Sequence, residues 1–320
     1  MLHDHRWAGA RAPSANRRAR RGCRRAWRRR SRRAQVSAVA TILGLLLVVT
    51  FLANYIATTL PNDMTQNDLQ RETLVQNQVS ELSILLQAIA SHGEVGAQVS
   101  QAVALGSAGL PPFANADAGA LTAGNLSASL KLNFTLVGPG GIVENLPGSA
   151  ATPVGSFVVQ LRNTYAPPAE VAFEQGAVIL AEPGSLPVFT VPPRISFSNN
   201  VLSLFLPRFA NAVGSESGTG TADVSLRLLS TGPVSLPTAA YAFQSGSHVT
   251  ITVVTPYAAT WYAYFKTYTG LSSYLTCTGS NNVCTALYTA SGTLGTVTLS
   301  IPTAGLKLNV LSALYSINVL

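Results

Sequence analysis

Between Ala34 and Asn62 the chain carries no charged side chain, and its strongly apolar part, residues 36–60 ("VSAVATILGLLLVVTFLANYIATTL"), is 25 residues long. As a helix this stretch would span about 37 Å, against roughly 30 Å for the hydrocarbon core of a bilayer. A helix buried in a soluble core rarely runs so far without a polar face. A secretory signal has an apolar region of only about 7–15 residues, followed by a small-residue cleavage site. The segment therefore reads as a transmembrane helix, with Val36, Leu45, Leu46, Leu47, Phe51 and Leu60 among its apolar residues.

The flanks give it a direction. Residues 1–33 hold 13 arginines and one acid, Asp4, whereas from Pro61 onward 8 Lys or Arg stand against 12 Asp or Glu. The net charge of +8 thus belongs to a short tail, and a whole-protein reading as basic and nucleic-acid-binding fails. Arginine-rich flanks stay cytoplasmic, so the expectation is a single-pass protein of the cell membrane with residues 61–320 outside. "SRRAQV" (residues 31–36) has paired arginines, but Gln35 stands where a twin-arginine signal has an aromatic residue.

Pro61 is expected to kink or restart the helix. Beyond it, Val75, Val79, Leu82, Leu86 and Ile89 recur at 4-3-4-3 spacing, which puts one apolar stripe on a helix. Asn62 or Asp63 is placed to cap its start and Gly93 to end it. Such a stripe suits packing on the helix's own domain or an intermolecular coiled coil. Residues 93–122 are rich in Gly, Ala, Ser and Pro and read as a linker.

From about residue 123 the apolar period changes to two. "LSASLKLNFTLV" (126–137), "GSFVVQLRNTY" (155–165), "GAVILAE" (176–182) and "TADVSLRLLS" (221–230) read as strands. So do "SHVTITVV" (247–254), "GTVTLSIP" (295–302) and the terminal "LKLNVLSALYSINVL", while "PRISFSNNVLSLFLPRF" reads as a hairpin about Asn199–Asn200. In "PYAATWYAYFKTYTGL" (256–271), Trp261, Tyr264, Phe265 and Tyr268 fall at helical spacing, as a helix packed on the sheet or an exposed aromatic platform for carbohydrate. The fold class is α+β: a long N-terminal transmembrane and stalk α-helix, then a predominantly antiparallel, sandwich-like β head with one packed helix. The divisions are a cytoplasmic leader (1–34), a transmembrane helix (35–60), a stalk helix (61–92), a linker (93–122) and an extracytoplasmic head (123–320).

Charged residues make up 11% of the chain, about half the usual share, in keeping with a β-rich surface protein. Cys277 and Cys284 bracket the polar turn "TGSNNV" and read as a disulfide outside the cytoplasm; free thiols or a metal pair are the alternatives. Asn125 and Asn133 open N-glycosylation sequons eight residues apart. Of four histidines, His3 and His5 lie in the leader, and neither His92 nor His248 stands in a recognisable base–nucleophile arrangement. No enzyme, cofactor or metal is expected.

Basic residues, a small residue and then "QVSAVATILGLLLVV" resemble the class III signal peptide of archaeal type IV pilin-like surface proteins. The head segments "LGSAGLPPF" (105–113), "VAFEQGAVILAEPG" (171–184), "GTGTADVSLRLLS" (218–230) and "VTITVVTPYAATWYAYF" (249–265) are similar to segments of uncharacterised members. The resemblance implies that a prepilin peptidase cuts between Ala34 and Gln35, or between Gln35 and Val36, ahead of the apolar segment. That segment then stays on the mature protein as anchor and assembly helix, in a homo- or hetero-oligomer with other pilin-like subunits. It also implies a surface that is often glycosylated. Val39 stands at mature position five, where many pilins carry glutamate, which points to a minor pilin or an unassembled relative. The expected function is a membrane-anchored structural or adhesion subunit of the cell surface; a permanently anchored protein whose head binds a partner or glycan is the alternative.

Overall fold

A computed structural model describes residues 37–111, 113–124, 131–137, 143–145, 156–210, 213–233, 248–268, 275–278, 294–302 and 306–320. They fall into two compact units, Met1–Pro61 and Asn62–Leu320. Helical residues run without a break from Ser37 to His92. They comprise α1 (residues 37–54), a π turn (Tyr55–Thr59) and α2 (Leu60–His92).

The π turn has a local cause. Pro61 has no N–H, and in a regular helix its ring would press on the carbonyl four residues back. The turn ahead of it widens by one residue, so that the Leu60 N–H donates to the Tyr55 carbonyl, five positions away. Pro61 follows as the second residue of α2. The helix continues through the proline rather than restarting. Asn62 and Asp63 lie inside it rather than capping it. At the far end Gly93, at φ 72°, donates its N–H to the Ile89 carbonyl and stops the helix.

The second unit is α+β, with three sheets. The first holds β1 (Gln98–Ala104), β9 (Ile195–Ser198), β10 (Val201–Ala210), β12 (Thr221–Pro233) and β16 (Lys307–Val319), in the order β1-β12-β16-β10-β9. The second holds β2 (Gly119–Gly124), β5 (Ser156–Leu161), β6 (Ala169–Glu174), β7 (Ala177–Ala181), β8 (Val188–Val191) and β11 (Val213–Gly218), ordered β11-β2-β5-β6-β7-β8. The third holds β3 (Lys131–Val137), β4 (Val143–Asn145), β13 (His248–Thr255), β14 (Leu275–Thr278) and β15 (Gly295–Pro302), ordered β14-β15-β13-β3-β4. Pairing is antiparallel except between β10 and β16, which run parallel. Helix α3 (Ala258–Tyr268) follows β13.

Residues 93–122, expected as a linker, contain β1 and most of β2. Two-residue type I′ turns close two hairpins: Asn199–Asn200 (φ 51° and 60°) between β9 and β10, as expected, and Gln175–Gly176 (φ 53° and 75°) between β6 and β7.

The stripe on α2 packs on its own domain. Val75, Val79, Leu82, Leu86 and Ala90 are buried in one core with inward residues of the first two sheets, and Ile89 packs at its margin. Along β6 the odd-numbered Val171 and Phe173 face this core, while the even-numbered Ala172 faces a second apolar layer with Val158, Ile179 and Tyr257. A third core joins β9, β10, β13 and β15 to α3. Leu82→Ala should cost about 2–5 kcal/mol of stability, whereas Leu74→Ala, at a side chain 48% exposed, should stay within about 0.5 kcal/mol. Denaturant titration of the detergent-solubilised chain measures the difference.

Candidate functional site: an uncovered apolar helix

In the first unit, every residue from 37 to 54 is exposed. Leu45, Leu46, Leu47 and Phe51 are 65%, 54%, 72% and 70% exposed. Since successive helical residues turn by about 100°, Leu45, Leu46 and Leu47 point in three directions, and protein covers none of them. The polar groups of the helix are satisfied internally: the hydroxyls of Thr41, Thr50 and Thr58 donate to the carbonyls of Ser37, Leu46 and Asn54 at 2.9, 2.7 and 2.7 Å. The stretch is long and apolar enough to cross a membrane, and none of it is buried. Leu60 departs from the expected membrane set, because it is buried. Val36 and the expected cleavage residues Ala34 and Gln35 lie outside the described residues.

In the second unit, the first turns of α2 carry a buried charged cluster that the stripe pattern did not announce. Asp68, Arg71 and Glu72 are all buried. The Asp68 carboxylate accepts the N–H groups of Tyr165 and Ala166, both at 3.2 Å. Arg71 donates to the Leu105 and Asp117 carbonyls at 3.1 and 3.5 Å, and to Asn163 Oδ1. Asp117 in turn accepts the Thr164 N–H at 3.0 Å and the Thr164 hydroxyl. Burial lowers the Arg71 pKa from its ordinary value, and the charges of Asp68 and Asp117 pull it back up. Arg71, the one cation close behind the apolar segment in sequence, thus clamps two loops to α2. Further along, Ser83 donates to the Gly176 carbonyl at 2.7 Å, and the Tyr315 hydroxyl to the Leu86 carbonyl at 2.6 Å. Burial raises the Tyr315 phenol, which keeps it a donor.

Of the aromatic residues expected at helical spacing on α3, Trp261, Tyr264 and Phe265 are buried, so the exposed carbohydrate platform does not form from them, and the Tyr268 side chain lies outside the described residues. Trp261 Nε1 donates to Glu174 Oε2 at 3.0 Å, and the Thr255 hydroxyl lies 2.9 Å from each oxygen of that carboxyl. Desolvation lifts the Glu174 pKa to about 7 against the pull of these two donors. Period-two reading missed this acid, because β6 is buried on both faces and loses its alternation.

The other expected positions are partly described. Cys277, in β14, is disulfide-bonded, and Cys284 lies outside the described residues. Asn133 lies in β3 opposite Thr252 of β13, and Asn125 is outside the described residues. His92 Nδ1 lies 2.7 Å from the Ala88 carbonyl, and the half-buried His248 opens β13 opposite Pro302 and Val137. Among the described residues no three His, Cys, Asp or Glu side chains are grouped to hold a metal ion.

No protein-family model, no curated protein and no solved structure matches the chain.

Arg71→Met should destabilise the second unit by about 3–5 kcal/mol, because it leaves buried carbonyls without their donor and the buried Asp68 and Asp117 without a nearby positive charge. Arg71→Lys should recover only part of this, since an ammonium cannot reproduce the fork that reaches Leu105, Asp117 and Asn163 together. Denaturation midpoints of the three proteins decide it.

Proposed function

We propose that the protein is a pilin-like, membrane-anchored subunit of an archaeal cell surface, structural or adhesive rather than catalytic, that inserts and assembles through its N-terminal apolar helix. The observation that carries the reading is the helix itself: residues 37–54 are exposed on every side and carry no charge. An apolar surface of that extent in water is driven to find lipid or other apolar helices. Thirteen arginines ahead of it, against the single Arg71 close behind it, support a cytoplasmic N-terminus and a β head outside. The class III-like junction at Ala34–Gln35 would release the arginine tract and leave the helix free to pack with those of neighbouring subunits. Val39, in place of a glutamate, favours a minor subunit, and a permanently anchored binding protein is the alternative that the same residue leaves open.

The N-terminal peptide of the protein purified from its native membrane separates the two readings. A mature start at Gln35 or Val36 is the expected result. An intact arginine tract on a membrane-embedded chain would overturn processing and leave only the anchor. Insertion has its own test: Leu46→Arg puts a charge mid-helix at a cost of about 2.5–3.5 kcal/mol and should shift the chain into the alkaline-carbonate-soluble fraction.

A further inference from the structure

Helix α3 packs its buried aromatics into the third core, and specific contacts tie it to the second sheet and to β9. The Thr260 hydroxyl donates to the Pro187 carbonyl at 2.6 Å, and the Tyr264 hydroxyl meets the Pro193 and Ile195 carbonyls at 3.1 and 2.7 Å. Phe189 of β8 sets its ring edge-on to Trp261 and Tyr264, with centroids at 5.4 and 5.7 Å. A further contact is the carboxyl of Glu174, which joins β6 to Trp261 on α3 and to Thr255 at the end of β13. The Thr255 oxygen also accepts the Tyr257 N–H at 3.1 Å, just ahead of the helix. One buried carboxyl therefore ties together the second sheet, the third sheet and α3.

We propose that Glu174 is a proton-operated latch: its neutral carboxyl seats α3 on the second sheet, and its ionisation loosens α3 and the groove that α3 walls. The surroundings suit the neutral form. Glu174 is only 4% exposed, and the two donors that it meets, the Thr255 hydroxyl and the Trp261 N–H, do not replace the water that a full negative charge would lose. Once the proton leaves, the single Thr255 hydrogen serves one oxygen at a time, and a full negative charge sits inside the protein.

No cation meets that charge among the described residues. Glu170, four residues back on the same face of β6, adds a like charge; burial raises its own carboxyl too, and it hydrogen-bonds Gln160 of β5 and Tyr257. The Tyr257 phenol is raised in turn, by burial and by both acids. Across the ladders, β5 and β7 set Ser156 and Ala177 opposite Glu174, neither of which titrates. Lys266, on α3, is exposed and lies over the Tyr262 ring at 5.9 Å from its centroid, on the groove side. The groove, about 850 Å³, runs between Leu186, Val188 and Phe189 on one wall and Tyr262, Lys266 and Thr267 on the other.

The sign follows from the raised carboxyl, at about 7 in the closed form against an ordinary value of 4.5. The native form binds the proton more tightly, so the stabilisation is complete below about 4.5 and is lost as pH rises to about 7. The opening constant of α3 should climb by up to about tenfold per pH unit in that window and then level off.

Hydrogen exchange of the full chain in lipid nanodiscs tests this, with rates corrected for intrinsic pH dependence. α3 amides should lose more than about tenfold protection between pH 5 and pH 7, while α2 amides hold theirs. In a Trp7→Phe, Trp27→Phe background Trp261 is the remaining tryptophan, and its emission should change over the same window. Glu174→Gln should flatten both readouts. Glu170→Gln, which removes the like charge, should reduce the rise without abolishing it, and it keeps the test decisive if Glu174→Gln does not fold. A flat α3 response in the unmodified chain, a transition that survives Glu174→Gln, or one untouched by Glu170→Gln would overturn the latch.

Discussion

The apolar stripe of α2 is the surface that the first and second sheets share. Val75, Val79, Leu82 and Leu86 have no solvent exposure, and they meet Phe157, Phe173, Leu226 and Tyr315 in one core. Each sheet turns one face toward that core and must bury its apolar side chains against something other than water. With α2 in place, the odd-numbered positions of β5 and β6 and the even-numbered positions of β12 find a common partner. The aromatic pairs there, Phe157 stacked on Phe173 at 5.0 Å and Phe173 on Phe209 at 5.8 Å, continue the packing from strand to strand.

Burial alone would let a helix slide along a sheet, because apolar contact is non-directional. Polar contacts set the register. Asp68 and Arg71 hold the early turns, the side-chain Oε1 of Gln78 accepts the Ala104 N–H at 3.0 Å, and Ser83 and the Leu86 carbonyl engage Gly176 and Tyr315. These buried groups lose solvation and recover it only in this alignment, so a shift of one turn would orphan several at once. A like argument applies at α3, where indole, hydroxyl and carboxyl meet in one place. There the acceptor is Glu174, a carboxyl that burial raises to about 7.

Much of the element list was legible in the residues. The uncharged run before Pro61, the 4-3-4-3 stripe, the Asn199–Asn200 turn and the inward aromatics of α3 each express a local rule: length against a bilayer, helical period, left-handed turn residues, amphipathic spacing. Local rules failed where two faces of a strand are buried. "VAFE" and "AVILA" show no alternation because α2 covers one side and the Tyr257 layer the other. They failed again at β1, whose "QVSQAVA" sits between Gly- and Ala-rich stretches and is a strand only because β12 pairs with it along all seven residues.

The residues by themselves determined the uncharged helix, its flanking charge asymmetry and the α+β class, since each depends on neighbours a few positions away. Tertiary structure decided the rest. It made the stalk the centre of a core, turned Arg71 from a flanking charge into a buried clamp, and removed water from Glu174. It also seated Trp261, 87 residues away, against that carboxyl. Burial and partnership between distant segments set the energy of a charged or polar group, and no local pattern encodes which distant segment will arrive.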